Sequence, residues 1–283
     1  METKTKKKKI CGIIGFPLGH TLSPAMHNAA FSKLKLDYEY LTYEVSEDGL
    51  GHLLDSLKDK NFRGLSVTHP YKIKIMDYLD EIHELAHEIG AVNTIVYEQK
   101  ELIGYNTDSF GAIKTLRSHG IQLDSSRKRI LILGAGGAAR AAAIPLAKMG
   151  NDIIVANRTY QRGEELTSIL QKYSEAKALK IQEIPGVIDK IDIIINATCV
   201  GMKGGPKGIP LPEELLSKDK IVFDMVYSPK NTPLVLAATR KGAIVIPGYE
   251  MLVSQGALAF ELWTGIGAPV SVMLDIVMKE LDA

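Results

Sequence analysis

The segment Arg129–Arg140, RILILGAGGAAR, constrains the fold of this 283-residue chain more than any other. An apolar run, Ile130–Leu133, leads into Gly134, Gly136 and Gly137, and an alanine-rich stretch follows at once. This is the strand–turn–helix order of a dinucleotide-binding βαβ unit, with Ala139 at the third small position of GxGxxG/A. Gly134 permits the tight turn off the strand, Gly136 leaves room for a pyrophosphate, and Ala139 lets the helix approach the strand. Free N–H groups at the helix start then face the phosphates with a partial positive charge. The next predicted strand, Ile153–Ala156, runs into Asn157, Arg158 and Thr159. An NAD site usually places an acid there for the ribose 2′-hydroxyl, whereas an arginine suits a 2′-phosphate through paired, charge-assisted bonds. The pattern therefore predicts NADP(H). Asp152 comes too early in the strand to act as the ribose acid.

Strand-like and helix-like stretches alternate along the rest of the chain. Strands are expected at Ile10–Gly15, Tyr38–Val45 and Phe62–Thr68, with a hairpin of Ala91–Tyr97 and Glu101–Tyr105 across Glu98–Lys100. Helices are expected at Pro24–Leu34, with Ser23 as its cap, and at Leu50–Leu57, Tyr71–Ile89 and Phe110–His119. A second series follows a polar stretch at 122–129. It has strands at Arg129–Leu133, Asp152–Ala156, Ile191–Asn196 and Ile221–Asp224, and helices at Ala138–Met149 and Arg162–Lys172. Repeated βαβ units imply parallel sheets covered by helices. Gly201–Pro212, rich in Gly and Pro, reads as a mobile loop.

Composition excludes several classes. Thirty-four Lys+Arg against 33 Asp+Glu give a net charge of +1, and five lysines and one glutamate fall in the first nine residues. The remainder is slightly acidic, which argues against nucleic acid as a partner, and the lysine run reads as a solvated, mobile terminus. No apolar run is long enough to span a membrane. Two distant cysteines, Cys11 and Cys199, outside any CxxC pair, suit a reducing cytoplasm rather than a disulfide framework. His83–His87, HELAH, matches the HExxH zinc pattern with Glu84 as base. The third-ligand position holds Asn93, a poor zinc ligand, so a metalloprotease is a remote alternative and no metal is expected.

Taken together, Gly15–His27 (GFPLGHTLSPAMH), Leu65–Lys72 (LSVTHPYK), Gly90–Thr94 (GAVNT), Gly104–Gly111 (GYNTDSFG), Gly134–Arg140, Asn157–Thr159, Asn196–Met202 (NATCVGM), Asp224–Tyr227 (DMVY) and Gly248–Gln255 (GYEMLVSQ) resemble the shikimate/quinate dehydrogenase family over almost the full length. The resemblance implies a two-domain α/β oxidoreductase. Residues 1–110 would form an α/β substrate domain, with the C-terminal helices of 252–283 packing back on it, and 111–251 a Rossmann-type NADP-binding domain. The implied reaction is NADPH-dependent reduction of 3-dehydroshikimate to shikimate, in aromatic amino-acid (chorismate) biosynthesis. The alternatives are a broader quinate/shikimate dehydrogenase, or a non-catalytic shikimate- or quinate-binding regulator. A monomer or homodimer is expected.

The resemblance also implies site residues. Lys72 and Asp108 match the catalytic pair. Thr21, Ser23 and Tyr227 match the carboxylate clamp, Leu22 matches a further substrate-binding position, and Thr68, Asn93, Asp108 and Gln255 match positions gripping ring hydroxyls, as groups that both donate and accept can do. Gly134, Ala135, Gly136, Gly137 and Ala138 match the phosphate loop. Asn157, Arg158, Thr159, Tyr160, Gln161 and Arg162 match the 2′-phosphate loop. Met225 and Gly248 match positions near the nicotinamide, and Glu84 a cofactor position. Met251 reads as core or cofactor packing, and Cys199 as a small buried residue. Two departures bear on substrate choice: Thr21 stands for a common serine of the clamp, and Ser66 for a frequent asparagine.

Overall fold

A computed structural model describes residues 7–19, 21–58 and 61–283. Lys4 and Lys6 of the basic run lie outside the described residues, while Lys7 and Lys8 are exposed. Along the chain the elements are β1 Lys9–Gly15, α1 Ser23–Lys33, β2 Tyr38–Glu44, α2 Leu50–Lys58, β3 Phe62–Val67, β4 Glu81–Ile82, α3 Glu84–Ile89, β5 Thr94–Glu98, β6 Glu101–Tyr105 and α4 Thr107–Ser118. They continue as β7 Arg129–Leu133, α5 Gly137–Lys148, β8 Asp152–Ala156, α6 Tyr160–Leu170, β9 Ala176–Leu179, β10 Ile193–Asn196, β11 Ile221–Asp224, α7 Pro233–Arg240, β12 Ile244–Pro247, α8 Gly248–Thr264 and α9 Val270–Leu281. The chain forms two compact units, one of Met1–Thr107 with Gln255–Leu281 and one of Asp108–Ser254.

The first unit holds a six-stranded sheet ordered β2-β1-β3-β5-β6-β4. It is mixed rather than parallel, because β5 runs antiparallel to both β3 and β6. The hairpin turn explains this. Gln99 and Lys100 both take positive φ, 51° and 72°, the two-residue geometry that joins antiparallel strands with the right twist. Beneath the sheet, Leu50, Leu54 and Leu57 of α2 recur at helical spacing and bury against Phe62, Leu65, Val67 and Ile95. Gly64 of β3 has to be glycine, since a Cβ there would strike the carbonyl of Ile95 and the indole of Trp263. That indole, from α8, donates to the Ile95 carbonyl (2.9 Å), and α9 packs on α1.

The expected helix over Tyr71–Ile89 is broken into a 3-10 turn at Lys74–Tyr78, the short strand β4, and α3. Pairing with β6 competes successfully with helix propagation here. Asp80 and His83 donate their N–H groups to the carbonyls of Leu102 and Gly104, and the Asp80 carboxylate accepts from Leu102 N–H (2.8 Å). Ser23 does not cap α1. Leu22 holds the cap position, and Ser23 is the first helical residue, donating its own N–H to Thr21 Oγ1 (3.4 Å).

The second unit holds an all-parallel sheet ordered β12-β11-β10-β7-β8-β9. This is the doubly wound nucleotide-fold order, with its switch point between β7 and β10. Strands β7, β8 and β10 are nearly continuous buried apolar runs, as expected for strands covered on both faces. Strands β9 and β12 and helix α7 were not evident in the sequence pattern. The loop at 201–212 is irregular but tied down, with Gly201 N–H donating to the Pro206 carbonyl, Lys203 N–H to that of Ser228, and Leu211 fully buried.

Candidate active site

In the first unit the carboxyl ends of β1, β3 and β6 and the start of β5 lie on one edge of the sheet, as their pairing directions require. The polar residues expected to contact substrate follow these ends. Thr68 comes directly after β3 and donates its N–H to Ile14 of β1 (2.9 Å). Tyr71 N–H closes a turn onto the Thr68 carbonyl (2.9 Å), and the Lys72 carbonyl accepts Val92 N–H (2.7 Å). The backbone that carries Lys72 is thereby fixed next to the one that carries Asn93.

Asn93 is the hub of this edge. It is buried, its Oδ1 accepts from Thr107 N–H (2.6 Å) and from the Thr94 hydroxyl (3.1 Å), and its Nδ2 donates to Thr107 Oγ1 (3.0 Å) and Gln255 Oε1 (3.4 Å). Asn106 Nδ2 donates to the Ala91 carbonyl (2.9 Å). Gln255, 162 positions beyond Asn93, thus joins it through α8. Thr94 and Thr107 are members of this network that sequence reasoning missed. The available signal was a run of three polar residues, Asn106–Asp108, placed straight after a strand end. Thr21 and Leu22 are half-buried and Ser23 is buried at the α1 start.

The HELAH segment does not form a zinc pair. His83 has extended dihedrals (φ −56°, ψ 141°) before the start of α3, so it and His87 do not share a helical face, and its ring stacks on Tyr105 at 5.3 Å. Among the described residues no cluster of three His, Cys, Asp or Glu is arranged to hold a metal. Glu84 opens α3 and is exposed.

In the second unit Gly134 takes φ +108°, and a Cβ there would meet the Ala197 carbonyl oxygen at 3.0 Å, so glycine is required. Gly136, at the N-cap of α5, faces open space, which gives a phosphate the close approach it needs. Ala139 is fully buried. Neighbouring β8 ends in a turn where Asn157 Nδ2 donates to the Thr159 carbonyl (2.8 Å), leaving Arg158, Gln161 and Arg162 exposed and Tyr160 at the start of α6. Because β7 and β8 are adjacent and parallel, the glycine turn and the Arg158 turn lie at the same end of the sheet. The donor set fits a 2′-phosphorylated dinucleotide: glycine N–H groups at a helix start, and two guanidiniums beside them.

The switch-point side is braced by one buried carboxylate. Asp224, at the end of β11, accepts from Asn196 Nδ2 (2.8 Å), Val226 N–H (3.1 Å) and the Thr232 hydroxyl (2.5 Å). Burial pushes its pKa up, and those three donors oppose the shift. Met225 and Gly248 lie on this framework; a Cβ on Gly248 would strike the Val226 and Asp224 carbonyls. Tyr227 is half-buried, and burial raises its phenol pKa. Asp108 is buried in the first turn of α4, where the helix dipole suits a carboxylate. Met251 is core. Cys199 is exposed, not buried: Asn196 Oδ1 accepts from Thr198 N–H and Oγ1, and Thr198 Oγ1 accepts from Val200 N–H, which puts Cys199 on the outside of a tight turn.

Comparison with known proteins follows the same division. Residues 13–95 match the shikimate dehydrogenase substrate binding domain, residues 116–201 the shikimate/quinate 5-dehydrogenase model, and residues 248–278 the shikimate 5′-dehydrogenase C-terminal domain. The shikimate dehydrogenase (NADP(+)) of Bacillus cereus strain AH187 is 43% identical over 97% of this chain and 99% of its own. The structure of the Thermus thermophilus shikimate 5-dehydrogenase in complex with NADP(H) and shikimate aligns with a TM-score of 0.87, at 35% identity over 96% of this chain and 100% of that one. The Listeria monocytogenes shikimate 5-dehydrogenase, in complex with shikimate and NAD, gives 0.88 at 36% identity over 98% of each chain. With both halves of its length matched in order, and identity above 40% to a full-length relative, this chain belongs to the shikimate dehydrogenase family.

Proposed function

We propose that the chain catalyses reversible NADPH-dependent reduction of 3-dehydroshikimate to shikimate, as a step of aromatic amino-acid biosynthesis in the cytoplasm, working as a monomer or homodimer. Residues up to about 110, with the C-terminal helices, are its substrate domain, and those up to about 251 its cofactor domain. The observation that carries the reading is the Asn93 network. It gathers donors and acceptors from the start of β5, the segment after β6 and α8 beside the anchored backbone of Lys72, as a small polyol needs. Such a site rejects analogues lacking a hydroxyl, because a buried polar group would be left unpaired.

When bound, NADPH supplies the hydride. The glycine turn at Gly134–Ala138 and the Asn157–Arg162 turn are the groups that would hold it. Reduction leaves negative charge on the substrate C3 oxygen, and the Lys72 ammonium donates a proton there; in oxidation its neutral amine accepts one. Asp108 orients that ammonium and bonds a ring hydroxyl. Thr21, Ser23 and Tyr227 hold the carboxylate, while Thr68, Asn93 and Gln255 fix the ring.

The test is NADPH absorbance followed with shikimate and quinate against NADP and NAD. Turnover is expected with shikimate and NADP; no turnover with any pair overturns the enzyme reading. Arg158→Ser is expected to raise the KM for NADP about 10- to 100-fold, the worth of a lost charge-assisted pair, and to leave NAD kinetics within about twofold. Equal effects on both cofactors would remove Arg158 from the 2′-phosphate.

A further inference from the structure

We propose that Asp224 and Thr232, which the substrate- and cofactor-contacting sets do not include, are positioning residues for hydride transfer: together they fix the turn that carries Met225 and so the seat of the nicotinamide ring. This rests on the reading that Met225 and Gly248 lie beside the nicotinamide. Asp224, Asn196 and Thr232 are each 0% exposed. A buried carboxylate is costly unless donors fill its lone pairs, and two chains of hydrogen bonds converge on this one. One comes from the turn after β10. Val200 N–H donates to Thr198 Oγ1 (3.2 Å), that hydroxyl donates to Asn196 Oδ1 (2.7 Å), and Asn196 Nδ2 donates to Asp224 Oδ1 (2.8 Å). The other comes from the start of α7, where Val235 N–H donates to Thr232 Oγ1 (3.1 Å) and the Thr232 proton goes to Asp224 Oδ2 (2.5 Å).

Every bond in both chains points toward Asp224. Only a group that accepts and never donates can end both, which an ionised carboxylate does and an amide does not. The backbone held between them is short. Asp224 Oδ1 also accepts Val226 N–H (3.1 Å), and Met225 N–H donates to the Asn196 carbonyl (3.0 Å), so Met225 is fixed from both sides. The start of α8 seats on the same piece, since a Cβ on Gly248 would lie 2.6 Å from the Val226 carbonyl oxygen and 2.7 Å from that of Asp224. Strands β10 and β11 are adjacent and parallel, which puts these turns at the carboxyl end of the sheet, where a doubly wound fold binds its ligand. The turns that would take the phosphates follow β7 and β8 and receive no bond from the Asp224 carboxylate. Loosening Asp224 therefore displaces the nicotinamide end of the cofactor and leaves the 2′-phosphate end held.

Asp224→Asn keeps the shape and turns one acceptor into a donor that faces Thr232. For shikimate oxidation kcat is expected to fall about 10- to 100-fold, the effect of a displacement of about 1 Å at the reacting centre. The Kd of 2′,5′-ADP, which has the 2′-phosphate and no nicotinamide, is expected to stay within about twofold by titration calorimetry. The gain in NADPH fluorescence on binding, which reports an immobilised nicotinamide, is expected to shrink. Thr232→Val is expected to match Asp224→Asn, and Thr232→Ser, which keeps the hydroxyl, to restore the wild-type constants. The proposal is overturned by an unchanged kcat, by Thr232→Ser behaving as Thr232→Val, or by a 2′,5′-ADP affinity that falls along with kcat, which would make the network a support of the whole unit. If Asp224→Asn does not fold, the two Thr232 variants decide on the same readouts. Wild-type enzyme is assayed first: absence of shikimate turnover there overturns the dehydrogenase reading itself, a result distinct from any Asp224 or Thr232 outcome.

Discussion

Replacing Lys72 with alanine is expected to lower kcat by about 10²- to 10⁴-fold, the usual worth of a positioned general acid, while shifting the KM for shikimate by less than about tenfold. The expectation follows from a division of labour within the first unit. On the proposed reading, substrate grip is spread over many neutral groups around Asn93 and the start of α1, so losing one amine removes a small part of it. Proton delivery has no such redundancy. Lys72 is half-buried, and its backbone is held by the turn from Thr68 and by the Val92 N–H. Its neighbour Lys74 is the internal control. That side chain is paired with Asp77 at 3.1 Å on the surface, and Lys74→Ala is expected to leave both constants within about twofold. Steady-state kinetics in both directions decide the matter. Equal losses in kcat and in shikimate affinity would make Lys72 a binding group and hand the proton transfer to Asp108.

Acid is expected to destabilise the first unit through His27, with a loss of about 2–3 kcal/mol at pH 4.5 relative to pH 7.5 that His27→Phe abolishes. His27 is 0% exposed, packed among Tyr40, Phe31 and Trp263, and neither ring nitrogen has a hydrogen-bond partner among the described residues. Burial lowers its pKa from 6.5 to about 3. Above pH 6.5 the ring is neutral in both states and contributes nothing to the pH dependence. Below it, the unfolded chain binds a proton that the fold refuses, so stability falls by about 1.4 kcal/mol per pH unit until the folded-state value near 3 is reached. Carboxylates titrate over part of the same range, so the readout is the difference between wild type and variant in urea melts at the two pH values. Phenylalanine keeps the aromatic stack and has no proton to bind. Identical pH dependence in the two proteins would mean that His27 is hydrogen-bonded or hydrated in solution.

Features carried by neighbours in sequence were legible without a structure. The apolar runs of β7, β8 and β10 read directly as buried strands, and the glycine turn after β7 marked the strand–turn–helix unit that β7 and α5 form. The hairpin at Gln99–Lys100 also read correctly. What failed was decided by partners distant in sequence. The stretch from Tyr71 has helical composition, but backbone pairing with Leu102 and Gly104 pulled out β4, and with it His83 from the helix that a zinc motif would need. β9, with sequence AKAL, has no apolar alternation to detect and is a strand only because β8 offers it an edge. Cys199 looked small and buried until the Asn196–Thr198 bonds turned it outward.

The sequence by itself determined the α/β class, the glycine-rich turn between β7 and α5, and the family, because each depends on residue types at fixed short spacings. Only the tertiary structure decided that Asn93, Thr107 and Gln255 share one network, that a mixed sheet carries it, and that the Tyr40 hydroxyl donates to Ser66 Oγ. Those are contacts across 14, 26 or 162 positions. Local propensity has no reach at such distances. Strand pairing and the burial of apolar faces set them, and hydrogen-bond geometry then selects which polar groups meet.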